Sequence, residues 1–485
     1  MSSQESAVER LQLAVIDGRT ENIRYRQDQL QGLHTALRND AGTICSALAR
    51  DSQASAAEVE TEYYLATDAV RHWYDSLDFA EEHKQEYAVA EGKDNSTRRL
   101  GVGLVIIRPT SHTRLYSIIS PLAAAISAGN CLEDTLLQVD AVLRKILVAA
   151  LDINTFCLSK TIKDSSILET AVLVDQTSSA TPISLTNQLL SSSSTRTVAI
   201  VDRTADIQLA AKAITNARFS FGGTSPYAPD LVLVNEFIKQ DFFEACSKYA
   251  TLAFAKESSI KKVSGNRSEE TRKAVKEAEE KKQVASFGSN DFKLVDVLDR
   301  TSPLTQLKIS GRYLPIASVS GLVDAIFTEQ FEKPLLAGYF FADPASAKYL
   351  AQHLPCHVSC INQIPVQLLV GPAAPVAHDA DFYYRYNKDM FSVARPQFIE
   401  PPPETFAKAE ELLSGSKKVT TSTIRALAVK PLKPTGQPGN AQLGFFEAGF
   451  VTMASITFAG LLPVLGYGAW IAGRRGFESA LRWRH

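Results

Sequence analysis

Residues 219–230 read FSFGGTSPYAPD, and the apolar run 231–234 follows at once. Two adjacent glycines indicate a tight turn, because glycine reaches backbone conformations that other residues avoid. Pro226 has no backbone N–H and no reactive side chain. The stretch therefore predicts a shaped loop that leads directly into a buried strand.

Strand and helix patterns alternate on both sides of this loop. The strand candidates are the apolar runs 101–108, 171–174, 197–202, 231–234, 336–341 and 357–361, and the helix candidates are 115–127, 205–218, 240–253 and 345–353. Such alternation predicts parallel sheets with crossover helices, an α/β fold. Residues 8–90 instead place apolar side chains at helical spacing, which predicts a group of N-terminal helices.

The composition of the 485 residues is that of a globular protein with two or three domains, since 45% are hydrophobic and 21% are charged. A net charge of −2 gives no indication of nucleic-acid binding. The six cysteines are scattered, which predicts free thiols. Cys356, His357 and Cys360 lie close together, but no second ligand pair has a fitting spacing, so we expect no metal site.

The C-terminal region contains a long uncharged segment. Residues 448–473 hold no charged side chain, and Arg474 and Arg475 follow directly. A bilayer core requires about 20 apolar residues in a helix, so the pattern predicts a membrane anchor rather than a buried core helix. The glycines around Pro463 leave open a re-entrant hairpin instead of a span.

Several motifs together resemble the aldehyde dehydrogenase superfamily, in particular its class 3, fatty-aldehyde branch. They are GVGLVII at 101–107, AGN at 128–130, IVD at 200–202, APD at 228–230, and the pairs Phe391-Ser392 and Arg395-Pro396. The resemblance implies two parallel-sheet α/β domains, N-terminal helices, an oligomerisation arm and a C-terminal transmembrane helix. Membrane-attached fatty-aldehyde dehydrogenases carry such an anchor.

The resemblance also implies domain boundaries. These are N-terminal helices at 1–100, a degenerate dinucleotide-binding-type domain at 101–190, a catalytic-type domain at 191–365 with a charged insertion at 256–290, an oligomerisation segment at 366–400, a Pro/Gly-rich linker at 401–447 and a membrane anchor at 448–473. The charged insertion, with both signs of charge at helical spacing, is typical of a solvated helix.

The family's catalytic residues are missing at the positions that match. Pro226 stands where the family has the cysteine whose thiolate attacks the aldehyde. Ser111 replaces the asparagine that stabilises the oxyanion, and Ser192 replaces the general-base glutamate. Lys308 falls near the glutamate that holds the nicotinamide ribose. The resemblance therefore implies a family fold without the family's reaction.

The positions that match the cofactor site have also changed. Thr135 is nearest to the lysine that contacts the adenosine ribose, and Asp175 lies where a Gly-Ser turn should open the pyrophosphate-side helix. No glycine occurs between Gly129 and Gly222, although close backbone approach to a pyrophosphate normally uses glycine. We expect no cofactor, and NAD(P) only if the chain is an enzyme after all.

Other interpretations remain. Ser225 with His112 could form a rebuilt nucleophile and base that serves NAD(P)-dependent oxidation of long-chain aldehydes. Cys356 or Cys360 could replace the nucleophile, although thiols near a buried strand end are usually inert. Alternatively, the old substrate tunnel could bind a lipid or an aldehyde without turnover.

The sequence thus predicts a membrane-anchored, inactive relative of the aldehyde dehydrogenases with a structural or regulatory role. The implied partners are the membrane, through 448–473, and a second subunit in a homo- or heterodimer. The main body is expected on the cytosolic side. The sequence does not distinguish the endoplasmic reticulum, the mitochondrial outer membrane and the peroxisome.

Overall fold

A computed structural model describes most of the chain in two compact units, Met1–Glu400 and Pro401–His485. The described residues are 3–52, 54–135, 141–159, 171–177, 188–255, 266–289, 291–328, 334–375, 381–401, 403–415, 418–436 and 445–482.

Amphipathic helices form the N-terminal region, as predicted. They are α1 (Ser3–Ile16), α2 (Ile23–Asn39), α3 (Ala41–Ser52), α4 (Ala56–Asp75) and α5 (Phe79–Tyr87). Leu30, Leu33 and Leu37 share one buried face of α2, as their spacing requires. A capping box between Ser55 and Glu58 sets the start of α4, because each side chain accepts a hydrogen bond from the other residue's backbone.

The first sheet has five parallel strands in the order β4-β3-β2-β5-β6. Its elements are β2 (Leu104–Arg108), α6 (Arg114–Ser127), β3 (Cys131–Thr135), α7 (Ala141–Ala150), β4 (Phe156–Ser159), β5 (Val172–Asp175) and β6 (Gln188–Leu190). Helices α2, α3, α4 and α6 pack on one face of this sheet in an apolar core, and α1 packs on the other face. The strands β3, β4 and β6 were not predicted, because they are short and β3 carries Glu133 and Asp134.

The second sheet has seven strands in the order β13-β12-β7-β8-β11-β10-β9. Its strands are β7 (Thr197–Val201), β8 (Leu231–Asn235), β9 (Val284–Gly288), β10 (Lys293–Val297), β11 (Tyr313–Val319), β12 (Leu335–Phe341) and β13 (Cys356–Ile361). All neighbours are parallel except β9 and β10. Apolar cores cover both faces, which explains why the central strands are continuous apolar runs.

Helices connect the strands of this second sheet. They are α8 (Ile207–Phe219), α9 (Lys239–Ala255), α10 (Asn266–Glu280), α11 (Leu322–Thr328), α12 (Pro344–His353) and the single turn α13 (Val366–Leu369). A separate two-stranded antiparallel sheet pairs β1 (Arg99–Gly101) with β14 (Ser392–Ala394).

The charged segment contains a helix and a strand that pack with the second sheet. Helix α10 buries Thr271, Val275 and Ala278, and β9 completes one edge of the sheet by pairing with β10. The charge pattern correctly indicated a helix with a solvated face. It did not reveal the buried face, because charged residues outnumber these three small or apolar ones.

The second unit contains α14 (Glu404–Leu413), α15 (Thr421–Ala428) and α16 (Phe445–Arg482). The linker was predicted as a tether, but it includes the two short helices α14 and α15. Helix α16 runs unbroken past Pro463, so the structure contains one helix and not a hairpin. Within α16, Glu447–Gly473 has a mean hydropathy of 1.8 and is not buried, so its length and composition suit a membrane span.

Candidate functional site

The loop between α8 and β8 is held by its glycines. Phe221, Gly222 and Gly223 all have left-handed backbones, with φ of 50°, 66° and 69°. A Cβ at Gly223 would lie 2.2 Å from the carbonyl oxygen of Gly311, so only glycine fits there. The Gly223 carbonyl accepts a hydrogen bond of 3.0 Å from the backbone N–H of Gly311. The loop is thereby fixed against the chain that enters β11.

Pro226 is buried in this loop and contributes only its carbonyl oxygen to polar contacts. That oxygen accepts a hydrogen bond of 2.6 Å from Nζ of Lys308 and one of 3.2 Å from Oγ1 of Thr197. The position that matches the family's nucleophile is therefore an anchor point for two other side chains. It offers no atom that could attack a carbonyl group.

Asp230, at the end of the loop, is the centre of a buried charge cluster. Its Oδ2 accepts from Nζ of Lys308 at 2.9 Å and from the N–H of Thr197 at 2.8 Å. Its Oδ1 accepts from the N–H of Ile309 at 3.0 Å and lies 3.5 Å from Nη1 of Arg218. Asp230 and Arg218 have no exposed side-chain surface. This cluster joins the loop, β7 and the segment before β11.

Burial lowers the pKa of both cations of this cluster, Lys308 and Arg218. Burial lowers the pKa of Lys308, although the carboxylate of Asp230 opposes that effect. Burial likewise lowers the pKa of Arg218 to about 10. Arg218 also donates to the carbonyls of Gly223 and Pro229. A buried ion pair of this kind is costly to break on one side, because the remaining charge stays desolvated.

His112 reaches the same loop from the turn before α6. Its Nε2 lies 2.9 Å from the carbonyl oxygen of Leu369, and its Nδ1 lies 2.9 Å from Oγ1 of Thr224. A carbonyl only accepts, so Nε2 carries the proton and Nδ1 of the neutral ring is an acceptor. The single hydroxyl proton of Thr224 lies between two acceptors, this Nδ1 and the carbonyl oxygen of Phe221 at 2.8 Å. Burial and the nearby Arg385 lower the pKa of His112 to about 4.

The predicted serine positions lie apart from this histidine's hydrogen bonds. Ser225 is buried, and its hydroxyl accepts from the N–H of Tyr227 at 3.3 Å. The ring of His112 binds the neighbouring Thr224 instead. Ser192 shares a short hydrogen bond with the hydroxyl of Thr195, and Ser111 is exposed. The described contacts therefore do not join Ser225 and His112 as a nucleophile and its base.

Arg385 is a buried residue that the sequence analysis missed. Its Nη2 donates to the carbonyls of Gln367 at 3.0 Å, Leu368 at 3.2 Å and Val370 at 2.9 Å. Its guanidinium lies 4.6 Å from the centre of the Tyr227 ring. The ring of Tyr227, the residue after Pro226, is thus packed against a buried cation. No motif indicated this, because a single arginine among tyrosines has no sequence pattern.

Two glutamates of α4 also reach the site, and the sequence analysis missed them too. Oε1 of Glu62, which is buried, accepts from the N–H of Leu115 at 2.8 Å at the start of α6. Oε1 of Glu58 accepts from the N–H of Phe221 in the loop. Carboxylates four residues apart share one helix face. That spacing, next to the apolar positions of α4, was the available signal.

The cofactor-type positions lie at the carboxyl ends of β3 and β5. Asp175, which ends β5, lies 3.5 Å from Nη1 of Arg108 and accepts from the N–H and hydroxyl of Thr177 at 2.9 and 2.7 Å. Gln176 is buried and donates to the Ser117 carbonyl at 2.9 Å. Thr135 ends β3, where only the backbone is described.

The described residues at these strand ends lack the features that are usual in a pyrophosphate site. A pyrophosphate needs backbone N–H groups and small residues at the strand end, and Asp175 would instead oppose its charge. The N–H of Thr177, which a phosphate could use, is already bound to Asp175. Over the described residues, moreover, no three His, Cys, Asp or Glu side chains are grouped as metal ligands would be.

Comparison with known proteins agrees with this fold. The chain superimposes on the substrate-bound state of Staphylococcus aureus AldH with a TM-score of 0.67 and 18% identity, covering 86% of this chain and 100% of that one. It also superimposes on the glyceraldehyde-3-phosphate dehydrogenase of Methanocaldococcus jannaschii complexed with NADP, with a TM-score of 0.64, 17% identity and coverage of 81% and 93%. The protein therefore has the aldehyde dehydrogenase fold.

Sequence relatives make the class more specific. Aldehyde dehydrogenase family 3 member B1 of Mus musculus is 26% identical over 382 residues, which cover 69% of this chain and 77% of that one. The dimeric NADP-preferring aldehyde dehydrogenase of Rattus norvegicus is 26% identical over 383 residues, covering 71% and 82%. No protein-family model matches the chain. The protein thus has the aldehyde dehydrogenase fold, and in sequence it is similar to class 3 aldehyde dehydrogenases while diverging from them.

Proposed function

We infer that this protein is a membrane-anchored pseudoenzyme, which keeps the aldehyde dehydrogenase fold for a structural or regulatory role. The observation that carries the proposal is the environment of Pro226. The position that corresponds to the family's nucleophile has no reactive side chain, and its carbonyl is bound to Nζ of Lys308. The same ammonium pairs with the buried carboxylate of Asp230. A site that performs chemistry would need these groups free to contact a substrate.

The general base and the oxyanion donor of the family also have no counterpart at the matching positions. Ser192 has no carboxylate with which to activate water, and its hydroxyl is shared with that of Thr195. Ser111 is exposed rather than directed at a developing oxyanion. Loss of a single oxyanion donor costs about a hundred- to thousandfold in rate, so the combined losses leave little residual catalysis.

Loss of cofactor binding is part of the same proposal. The carboxylate of Asp175 stands at the strand end that approaches the pyrophosphate in this fold, and Gln176 is bound inside the protein. The relatives include an NADP-preferring enzyme, so a retained NADP site is the natural competing expectation. The contacts of Asp175 and Thr177 favour the inactive alternative.

Membrane anchoring rests on helix α16. Glu447–Gly473 has 27 residues and rises about 40 Å at 1.5 Å per residue, which exceeds the roughly 30 Å of a bilayer core. Its apolar side chains are exposed, as they would be toward lipid. We propose that α16 spans the membrane with the main body on the cytosolic side. The excess length is accommodated by tilt.

The partner that the fold suggests is another aldehyde dehydrogenase subunit. One of the relatives is named as dimeric. The pairing of β1 with β14 ties residues 99–101 to the segment 392–394, which is the region that the resemblance assigns to subunit contact. A pseudoenzyme in such a pair could hold an active partner at the membrane, and this is the regulatory role that we propose.

The proposal is tested with the full-length protein in detergent. Long-chain aldehydes are supplied with NAD⁺ or NADP⁺, and the absorbance of the reduced nicotinamide is followed. We expect no aldehyde-dependent reduction and no thermal stabilisation by either dinucleotide. Reduction of either dinucleotide would overturn the pseudoenzyme assignment. Extraction of membranes with alkaline carbonate tests the anchor separately, since a spanning protein stays in the membrane fraction.

A further inference from the structure

A basic segment precedes the apolar helix of the second unit. Lys418, Arg425, Lys430 and Lys433 fall within 418–433, and no acidic residue occurs anywhere from 412 to 446. The preceding helix α14 is different, because Glu404, Glu410 and Glu411 outnumber its one lysine. The signs of charge are therefore separated along this unit, with the positive part nearer the apolar helix.

Helices α14 and α15 are short, and neither is packed against a core. They contain 10 and 8 residues, and none is buried in either. Isolated helices shorter than about 12 to 15 residues are marginal in water, because nucleation is costly. The two helices contact each other, but that contact leaves large apolar side chains exposed. A stable α15 therefore needs a further surface to pack against.

The exposed side chains of α15 and the chain after it are those of an interfacial segment. Ile424, Leu427 and Ala428 share one helix face through their spacing of three and four residues. Beyond the helix, Val429 and Leu432 are 72% and 95% exposed. Lysines alternate with these apolar residues, and such combinations bind at the boundary between lipid headgroups and acyl chains.

We propose that residues 418–433 bind the surface of the membrane that holds α16, with anionic lipid headgroups as their ligand. The apolar side chains enter the headgroup boundary, and the four basic residues pair with lipid charges. This inference deepens the proposed function and rests on its anchored helix α16. Clusters of four or more basic residues beside a membrane span are typical of binding to anionic lipid.

The membrane is within reach of this segment. Thirteen residues lie between Lys433 and Glu447, where the apolar stretch begins, and the extended chain that joins the two spans at most about 50 Å. Anchoring keeps the segment at the bilayer surface, so its effective concentration there is high. An acidic protein surface would also attract the lysines. It would not explain why exposed apolar residues accompany these lysines and lie close in sequence to a membrane span.

Hydrogen exchange on the full-length protein tests the proposal. The protein is placed in lipid nanodiscs of phosphatidylcholine alone, or of phosphatidylcholine mixed with phosphatidylserine. We expect amide exchange in 421–428 to be at least about tenfold slower in the anionic discs, and this protection to disappear at high salt. Helix α10, which is charged but belongs to the main body, is the internal control and should exchange equally in both discs.

A charge variant and its matched control complete the test. Combining Arg425→Gln, Lys430→Gln and Lys433→Gln should abolish the difference between the discs. Combining Lys273→Gln, Lys276→Gln and Lys281→Gln removes the same number of exposed charges in and next to α10 and should preserve it. Equal exchange of 421–428 in both discs, with the protein retained in both, would overturn the surface inference but not the anchor. Failure to enter neutral discs would overturn the anchor itself.

Discussion

The ammonium nitrogen of Lys308 lies 2.9 Å from the carboxylate of Asp230. Asp230 ends the loop that, by the resemblance, carries the nucleophile in aldehyde dehydrogenases. The resemblance placed Lys308 near a glutamate that would hold a nicotinamide ribose. In the structure its side chain points into the protein and also binds the carbonyl of Pro226. A residue that the resemblance places near the cofactor thus stabilises the loop that the resemblance assigns to catalysis.

Replacing Lys308 should therefore destabilise the fold. Lys308→Met leaves the carboxylate of Asp230 with Arg218 alone, and Arg218 is the more distant cation at 3.5 Å. We expect the free energy of unfolding to fall by about 3 kcal/mol, because one side of a buried pair is removed. Denaturation by urea measures it. Lys212→Met removes an exposed lysine of α8 and should change stability by less than about 0.5 kcal/mol. Equal stability of the two variants would contradict a buried role for Lys308.

Restoring the missing thiol should not restore the reaction. Pro226→Cys supplies a nucleophile, but Ser192 still provides no general base and Asp175 still opposes a pyrophosphate. We expect no reduction of NAD⁺ or NADP⁺ with long-chain aldehydes. Mass spectrometry after treatment with an alkylating reagent shows whether the new thiol is accessible. Turnover in this single variant would mean that the remaining machinery is intact.

The stability of the protein should depend on His112 below neutral pH. The pKa of His112 is lowered to about 4 in the folded protein, against about 6.5 when unfolded. Between these values the unfolded chain binds more protons, so the free energy of unfolding falls as the pH falls. In His112→Gln the loss between about pH 7 and about pH 5 should shrink by roughly 2 kcal/mol.

Urea denaturation at both pH values measures this difference. His83→Gln replaces an exposed histidine of α5 and serves as the matched control, which should keep the pH dependence of the unaltered protein. An unchanged pH dependence in His112→Gln would show that the ring is protonated as easily in the folded protein as in water.

The buried glutamate of α4 should stabilise the start of α6. Glu62→Ala removes the acceptor of the Leu115 N–H, and a buried donor without a partner is costly. We expect a loss of about 2 kcal/mol in the free energy of unfolding. Glu60→Ala alters an exposed glutamate of the same helix and should be nearly neutral. Urea denaturation measures both variants. Equal losses in the free energy of unfolding would show that Glu62 does not stabilise the start of α6.

Much of the fold could be predicted from the sequence, because buried parallel strands are continuous apolar runs. The strands that end at Val201, Asn235 and Phe341 were identified within a residue of their bounds. The strands β9 and β10 were missed, since charged and polar residues interrupt their apolar positions.

The candidate site could be predicted only in part. The local motifs located the loop around Pro226 and the turn that contains His112. Glu62 contacts a residue 53 positions away, and Lys308 contacts one 78 positions away. Arg385 binds backbone carbonyls, which any residue type provides. No local spacing reports such contacts, because they depend on the tertiary fold. The pairing of His112 with Thr224 rather than Ser225 likewise depends on the left-handed turn of the loop.

The most direct test of the central claim is calorimetric titration of NAD⁺ and NADP⁺ into the full-length protein in detergent. An aldehyde dehydrogenase with intact site residues is titrated in parallel as the positive control. The account predicts a saturable heat of binding for the control and none for this protein with either dinucleotide. Saturable micromolar binding of either one would contradict the claim that the fold has lost its cofactor.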